Sequence, residues 1–308
     1  MQHEWITIGV SFISIVIVFL FAIEKFSRQV QYLAGDRFKS LLAKSTNTPV
    51  KGVLAGTVVT SILQSSTAVS VMLVSLVDAG VLPFVNALAV LIGANIGTTV
   101  TTQLIAFKVL AIAPYILVVG FLLLKIKSKY QHYGKAVFYF GLVFSSLFLV
   151  SVLLDGVDKT SNFVRFLEYT SNIYIAIVVG FILSILAQSS SVVTGVFLIF
   201  ATQGYLTFYQ AFAMILGANV GTTTTALLAS AVTGKQGKRI AVAHVLFNVV
   251  GMILFIPFVG VLSSYVATLP FGPAEHVAFA HLFFNIVTAT IFLFGFRYYE
   301  KVVKHLVP

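Results

Sequence analysis

Gln64-Ser65-Ser66-Thr67, followed by Gly93-Ala94-Asn95-Ile96-Gly97-Thr98-Thr99, is written a second time as Gln188-Ser189-Ser190-Ser191 and Gly217-Ala218-Asn219-Val220-Gly221-Thr222-Thr223. Both elements recur at one offset of 124 residues, without a gap. Gly56/Gly180, Gly80/Gly204, Phe84/Phe208 and Ala87/Ala211 keep the same offset, so the connecting segment is duplicated as well. The chain is an internal duplication. Each copy sets amides, hydroxyls and glycines inside segments that are otherwise almost wholly apolar, where unpaired polar groups are expensive.

The 308 residues are 59% hydrophobic and 9% charged, with a mean hydropathy of +1.03. That is too little polar surface to cover a water-soluble domain, and the expected class is a polytopic membrane protein. The net charge of +10 sits in short Lys/Arg clusters between apolar runs, as in cytoplasmic loops, so no nucleic-acid partner is expected. There is no cysteine, which excludes disulfides, thiolate metal sites and cysteine nucleophiles. Trp5–Ile23 lacks a basic segment before it and a small-residue cleavage site after it. It reads as a retained span and not as a signal peptide.

Taken in order, the expectation is an all-α chain. Residues 1–124 form the first repeat, with the span Trp5–Ile23, an amphipathic surface helix over 24–51, a hairpin over 52–80, a broken helix over 83–107 and the span Val109–Leu124. A basic cytoplasmic loop occupies 125–135. The second repeat, 136–264, has the span Ala136–Leu154, a mixed-charge segment Asp155–Asn172, a hairpin over 173–204, a broken helix over 208–231 and the span Ala241–Ser263. Residues 265–308 hold the final span and a basic tail. A dozen helical residues rise roughly 18 Å against a hydrocarbon core of about 30 Å, so neither limb of a hairpin can cross. The polar tetrads then mark the tips of re-entrant hairpins. Re-entrance also puts the basic loops at 24–51, 125–135, 235–239 and 297–308 on one side, with the N-terminus outside and the C-terminus cytoplasmic. Each repeat has three crossings, an odd number, so the second is inverted.

Two tips entering from opposite faces meet near the midplane, beside helices expected to break at Gly-Ala-Asn. Inverted-repeat transporters place substrate and ions there. Free backbone N–H groups at half-helix N-termini suit an anion, and free carbonyls suit a cation. The side chains gathered there are neutral: Gln64, Ser65, Ser66, Thr67, Asn95, Thr98, Thr99 and Thr101, with Gln188, Ser189, Ser190, Ser191, Asn219, Thr222, Thr223 and Thr225. Neutral oxygen ligands fit a hard monovalent cation and not a transition metal. With no Lys or Arg at tip depth, an anion needs co-bound cations, which points to cation-coupled anion transport. Interhelical hydrogen bonding is the competing account, and for a lone serine the better one. Two clusters duplicated at one offset favour a binding role. His244/Asn248 and His281/Asn285, each four apart on one helical face, read as helix-packing residues. Asp78 reads as a solvated helix-end residue.

At these residues, and at Leu33-Ala34-Gly35-Asp36-Arg37, the sequence resembles the type II sodium-phosphate cotransporters over nearly its whole length. The resemblance implies a sodium-driven importer of inorganic phosphate in the cell membrane. By motif it implies phosphate and sodium binding at Gln64, Ser65, Ser66, Thr98, Thr99, Gln188, Ser189, Ser190, Ser191, Thr222 and Thr223; with the other polar residues gathered there, phosphate is expected at Ser65, Ser66, Thr67, Asn95, Ser189, Ser190, Ser191 and Asn219. Sodium falls to Gln64, Thr98, Thr99, Thr101, Gln188, Thr222, Thr223 and Thr225. Partners are then phosphate, sodium and the bilayer, with a homodimer left open, and no cofactor beyond the coupling ion. The first tetrad departs from the family pattern, ending in Thr67 in place of Ser. Neither a soluble PhoU-like domain after the last span nor the long cysteine-bearing loop of animal members is expected. A channel or a non-transporting sensor on the same scaffold is the alternative. An intramembrane enzyme is not expected, since no carboxylate or His lies in either hairpin limb, the first ending at Val77 before Asp78, to serve as a base.

Overall fold

The computed structural model describes residues 2–44, 48–106, 109–126, 130–157, 165 and 167–308, and among these there is no strand. Lys127 and Lys129 of the basic loop, Asn47, and residues 158–164 and 166 of the segment Asp155–Asn172 lie outside the described residues. The first element, α1 (Gln2–Lys44), is one helix of 43 residues, not a span followed by a separate surface helix. No proline interrupts it. Phe26, Val30, Phe38 and Leu42 recur at helical spacing and are buried in the same cluster as the first hairpin, which carries the helix past Ile23.

The first hairpin is α2 (Pro49–Leu63) and α3 (Ser66–Asp78). Thr48 caps α2 by accepting from Lys51 N. The helix stops where Gln64 turns left-handed at φ 54°, and Ser65 restarts it as the N-cap of α3, its Oγ accepting from Ala68 N at 3.1 Å. The second hairpin, α7 (Ile173–Ala187) and α8 (Ser190–Thr202), repeats this geometry: Gln188 at φ 51° ends α7, and Ser189 caps α8 through Val192 N. Gly80 and Gly204 close the hairpins at φ 70° and 76°. The 124-residue duplication is therefore a duplication of backbone conformation.

The expected break in the first Gly-Ala-Asn segment is absent. α4 (Phe84–Ala106) runs unbroken for 23 residues. Its copy has one irregular turn at Thr222, between α9 (Phe208–Gly221) and α10 (Thr223–Ser230). Close packing explains the glycines instead. A methyl at Gly93 would collide with the Val53 carbonyl, and one at Gly56 with the Val90 carbonyl, so α2 and α4 touch backbone to backbone. Gly217 against Ile177 and Gly180 against Met214 hold α7 to α9 in the same way, each partner again 124 residues on.

α5 (Val109–Leu124), with Pro114 inside it, folds back on α6 (Gln131–Asp155). The chain closes with α11 (Lys235–Phe255), a 3-10 turn at Ile256–Phe258, α12 (Val259–Val266), α13 (Pro273–Phe294) and the tail helix α14 (Phe296–Leu306). Among the described residues, six segments are long and apolar enough to cross a membrane: Ile6–Gly35, Phe84–Ala106, Gln131–Asp155, Phe208–Ser230, Lys235–Val266 and Pro273–Phe294. The chain is a multi-pass, all-helical membrane protein. The spans carrying the Gly-Ala-Asn motifs are 78% buried, against 17% for α1, so the motif helices form the centre. Each second limb reaches the other half: α3 packs on α10 and α11, and α8 packs on α4, as well as on α6 of its own half and on α13. The tail is docked as well. The Tyr299 hydroxyl donates to the Ala243 carbonyl at 2.6 Å, and burial raises its pKa well above the usual value, so it stays a donor.

Candidate functional site

The two tips touch. Thr67 Oγ1, in the first turn of α3, donates to the carbonyl of Gln188 at 3.2 Å and lies 3.1 Å from Thr222 Oγ1. The start of α3 therefore abuts the left-handed turn of the other hairpin and the irregular turn between α9 and α10. A non-glycine residue in the left-handed region costs of order 1–3 kcal/mol, and both glutamines take it, each as the cap that ends its helix. Because α4 is continuous, the free backbone groups do not come from a mid-helix break there. They come from the hairpins, where the first amides of α3 and α8 have no helical acceptor. These two positive helix ends lie beside each other at the tips.

The copies differ in their side chains. Gln64 is buried; its Oε1 accepts from Thr101 Oγ1 at 2.8 Å and its Nε2 donates to the Ser61 carbonyl. Gln188 is exposed, and Thr225, the counterpart of Thr101, has a buried hydroxyl with no hydrogen-bond partner. Ser65 and Ser189 serve as caps and are half-buried, while Ser66, Ser190 and Ser191 are buried. Several expected ligands bond within their own helix, Asn95 Nδ2 to Leu91 O, Thr98 to Ala94 O and Thr99 to Ile96 O, and Thr223 bonds back across the turn to Val220 O of α9. Asn219 instead reaches His281, with its Nδ2 at 3.5 Å from Nε2.

A cleft of about 910 Å³ runs between α1 and α3 and ends at the tips, on Ser65, Thr67, Gln188 and Ser189. Its α1 wall carries Glu24, Ser27, Arg28 and Gln31, which the motif reading passed over. Their spacing of three, one and three residues is the polar stripe of a helix face, and it was legible in the segment read as surface-lying. Arg28 pairs with Glu24 at 2.7 Å, and both are well exposed. The tips themselves carry no charge. Asp78 is exposed at the end of α3, but it also accepts from Gly234 N at 2.8 Å, at the start of α11.

The family model described as Na+/Pi-cotransporter matches residues 18–152 and 157–295, one segment per half. The Bacillus subtilis protein YqeW is 32% identical over 302 residues, covering 97% of this chain and 98% of its own. The Escherichia coli protein YjbB, whose name marks inorganic phosphate export as its proposed activity, is 26% identical over 86% of this chain and 49% of its own length. Cattle sodium-dependent phosphate transport protein 2B is 41% identical over 88 residues, 27% of this chain and 13% of its own. No solved structure gives a significant match. With both segments of the chain matched and the motif pairs meeting at the tips, the chain belongs to the Na+/Pi-cotransporter family, whose members transport phosphate.

Proposed function

We propose that the protein is a sodium-coupled symporter that imports inorganic phosphate, binding substrate and sodium between the two hairpin tips. The observation carrying this reading is the junction of Thr67 with Gln188 and Thr222 at the closed end of the cleft: two helix N-termini and neutral oxygens, with no fixed cation. Phosphate would take the amides and hydroxyls of Ser65, Ser66, Thr67, Ser189, Ser190 and Ser191, with Asn95 and Asn219 behind them. Sodium would take oxygens of Gln64, Thr98, Thr99, Thr101, Gln188, Thr222, Thr223 and Thr225. Without a Lys or Arg at the tips, co-bound sodium supplies the countercharge, and anion and cation binding become coupled.

Two contacts support re-entrant, inverted hairpins in this scheme. Asp78, at the far end of the first hairpin, touches Gly234, next to the basic loop 235–239. Tyr205, at the far end of the second, donates to the carbonyls of Leu154 and Val157. If each hairpin crossed the membrane once, both contacts would join residues on opposite faces. With re-entrance, the basic loops and the C-terminus face the cytoplasm, the N-terminus faces out, and the cleft opens inward. An inward cleft ending on exposed Gln188 is the release side of an importer.

Radiolabelled phosphate uptake into proteoliposomes tests the reading, with an inward sodium gradient set against potassium at equal ionic strength. Uptake with sodium alone is expected. Equal uptake in both salts would mean a channel, and binding without flux a sensor. Flux only when sodium and phosphate run in opposite directions would mean export, the activity in the name of YjbB.

A further inference from the structure

The His-x-x-x-Asn pattern occurs twice, on α11 (His244, Asn248) and on α13 (His281, Asn285), and the asparagine of each donates to the carbonyl of its own histidine. The imidazoles have different surroundings. His244 is buried with its Nδ1 unpartnered. His281 is equally buried, but its Nδ1 lies 2.9 Å from Thr102 Oγ1 of α4 and its Nε2 lies 3.5 Å from Asn219 Nδ2 of α9. Gln103 Nε2 reinforces the same junction by donating to the Ala278 carbonyl at 2.9 Å, one turn before His281 on α13.

We propose that His281 is a positioning residue for transport: a neutral imidazole on α13, outside both repeats, that ties Asn219 of the second half to Thr102 of the first. The hydrogen bonds fix its form. An amide Nδ2 can only donate, so Nε2 must accept and Nδ1 must carry the proton, which it donates to Thr102 Oγ1. Held at its Nδ2, the Asn219 amide has a set orientation, and its oxygen is left for a ligand. Its copy, Asn95, spends the same donor on the Leu91 carbonyl within α4. The two motif helices are thus tied to one side chain, and a shift of α9 against α4 has to break or carry this bridge. The role in transport rests on the symporter reading above, but the bridge does not.

The test pairs His281→Leu with His244→Leu, an equally buried histidine without the bridge. In proteoliposomes normalised to folded protein, His281→Leu is expected to raise the half-saturating phosphate concentration roughly tenfold, about what a buried hydrogen-bonded contact supplies. His281→Gln, whose amide can accept from Asn219 and donate to Thr102, should recover most of that loss, and His244→Leu should leave the constant unchanged. Equal effects at both histidines, or no rescue by glutamine, would overturn the positioning role. Nitrogen NMR on histidine-labelled wild-type protein decides the bridge without any flux. His281 should show a protonated Nδ1 and a bare Nε2, and its signals should move in Thr102→Val. A protonated Nε2, or signals indifferent to that change, would refute the proposal even if transport proved not to be the protein's activity.

Discussion

Alanine at Gly93 tests whether the duplicated glycines hold the hairpins in place. A methyl there meets the carbonyl carbon of Val53 at 2.7 Å and the amide nitrogen of Thr57 at 2.9 Å, where ordinary contact begins at 3.4 Å. The Val53 carbonyl oxygen is closer still, and all three atoms are backbone, so α2 must retreat from α4 by roughly 1–1.5 Å for the contact to become ordinary. Overpacking of this kind costs about 1–3 kcal/mol. The retreat also strains Thr57 Oγ1 to Gly93 O at 3.1 Å and Thr101 Oγ1 to Gln64 Oε1 at 2.8 Å. Each bond is worth about 1 kcal/mol, while alanine returns about 1 kcal/mol of helix propensity. The net loss of about 2–4 kcal/mol corresponds to a melting temperature lower by roughly 3–6 °C on the scale of soluble proteins, for a chain of 308 residues. Gly217→Ala should do the same, since its methyl meets Ile177 at almost the same distances. Gly195→Ala is the control: its methyl meets only the side-chain ends of Ile105 and Leu147, at 3.2 and 3.4 Å. Thermal unfolding of purified protein in detergent, followed by phosphate uptake for folded variants, reads the outcome. Wild-type melting and uptake in Gly93→Ala and Gly217→Ala, or a larger loss in Gly195→Ala, would refute the packing argument.

Gln64→Ala should lower stability by about 1 kcal/mol through the lost Thr101 bond, whereas exposed Gln188→Ala should leave melting unchanged. Both should cut phosphate uptake severely, and normal uptake in both would remove the glutamines from the mechanism. Thr101→Val should be destabilising, and Thr225→Val neutral or stabilising, because its hydroxyl is buried without a partner. The same melting series measures the difference, and equal losses would show that Thr225 is bonded after all. Asp78→Ala should free the start of α11 by removing the acceptor of Gly234 N, at a cost of about 1 kcal/mol. Faster hydrogen exchange over residues 234–240 is the expected signal, and unchanged exchange there would count against the cap.

The parts of this molecule legible in the sequence are those that local chemistry decides. A tetrad of polar residues in an apolar run leaves few options, and each pair of short helices turns at its glutamine, Gln64 or Gln188. The glycines of Gly93–Gly97 were harder, because the same residue that interrupts a helix also permits two helices to touch. Which applies depends on Val53 and Thr57, about forty residues away, and no local pattern shows that partner. The continuation of α1 past Ile23 depended likewise on Phe26 and Val30 finding the first hairpin. The symmetry of the motif was a sound guide to the backbone and a poor one to the side chains. Gln64 and Gln188 share a left-handed turn within 3° in φ, yet one is buried against Thr101 and the other faces the cleft while Thr225 stands unpaired. Two like sequences in one chain cannot take unlike environments for a local reason. The difference arises because a cleft reaching the tips from one side must expose one copy and bury the other. A duplicated sequence therefore predicts the two environments that exist, but not which half occupies each of them.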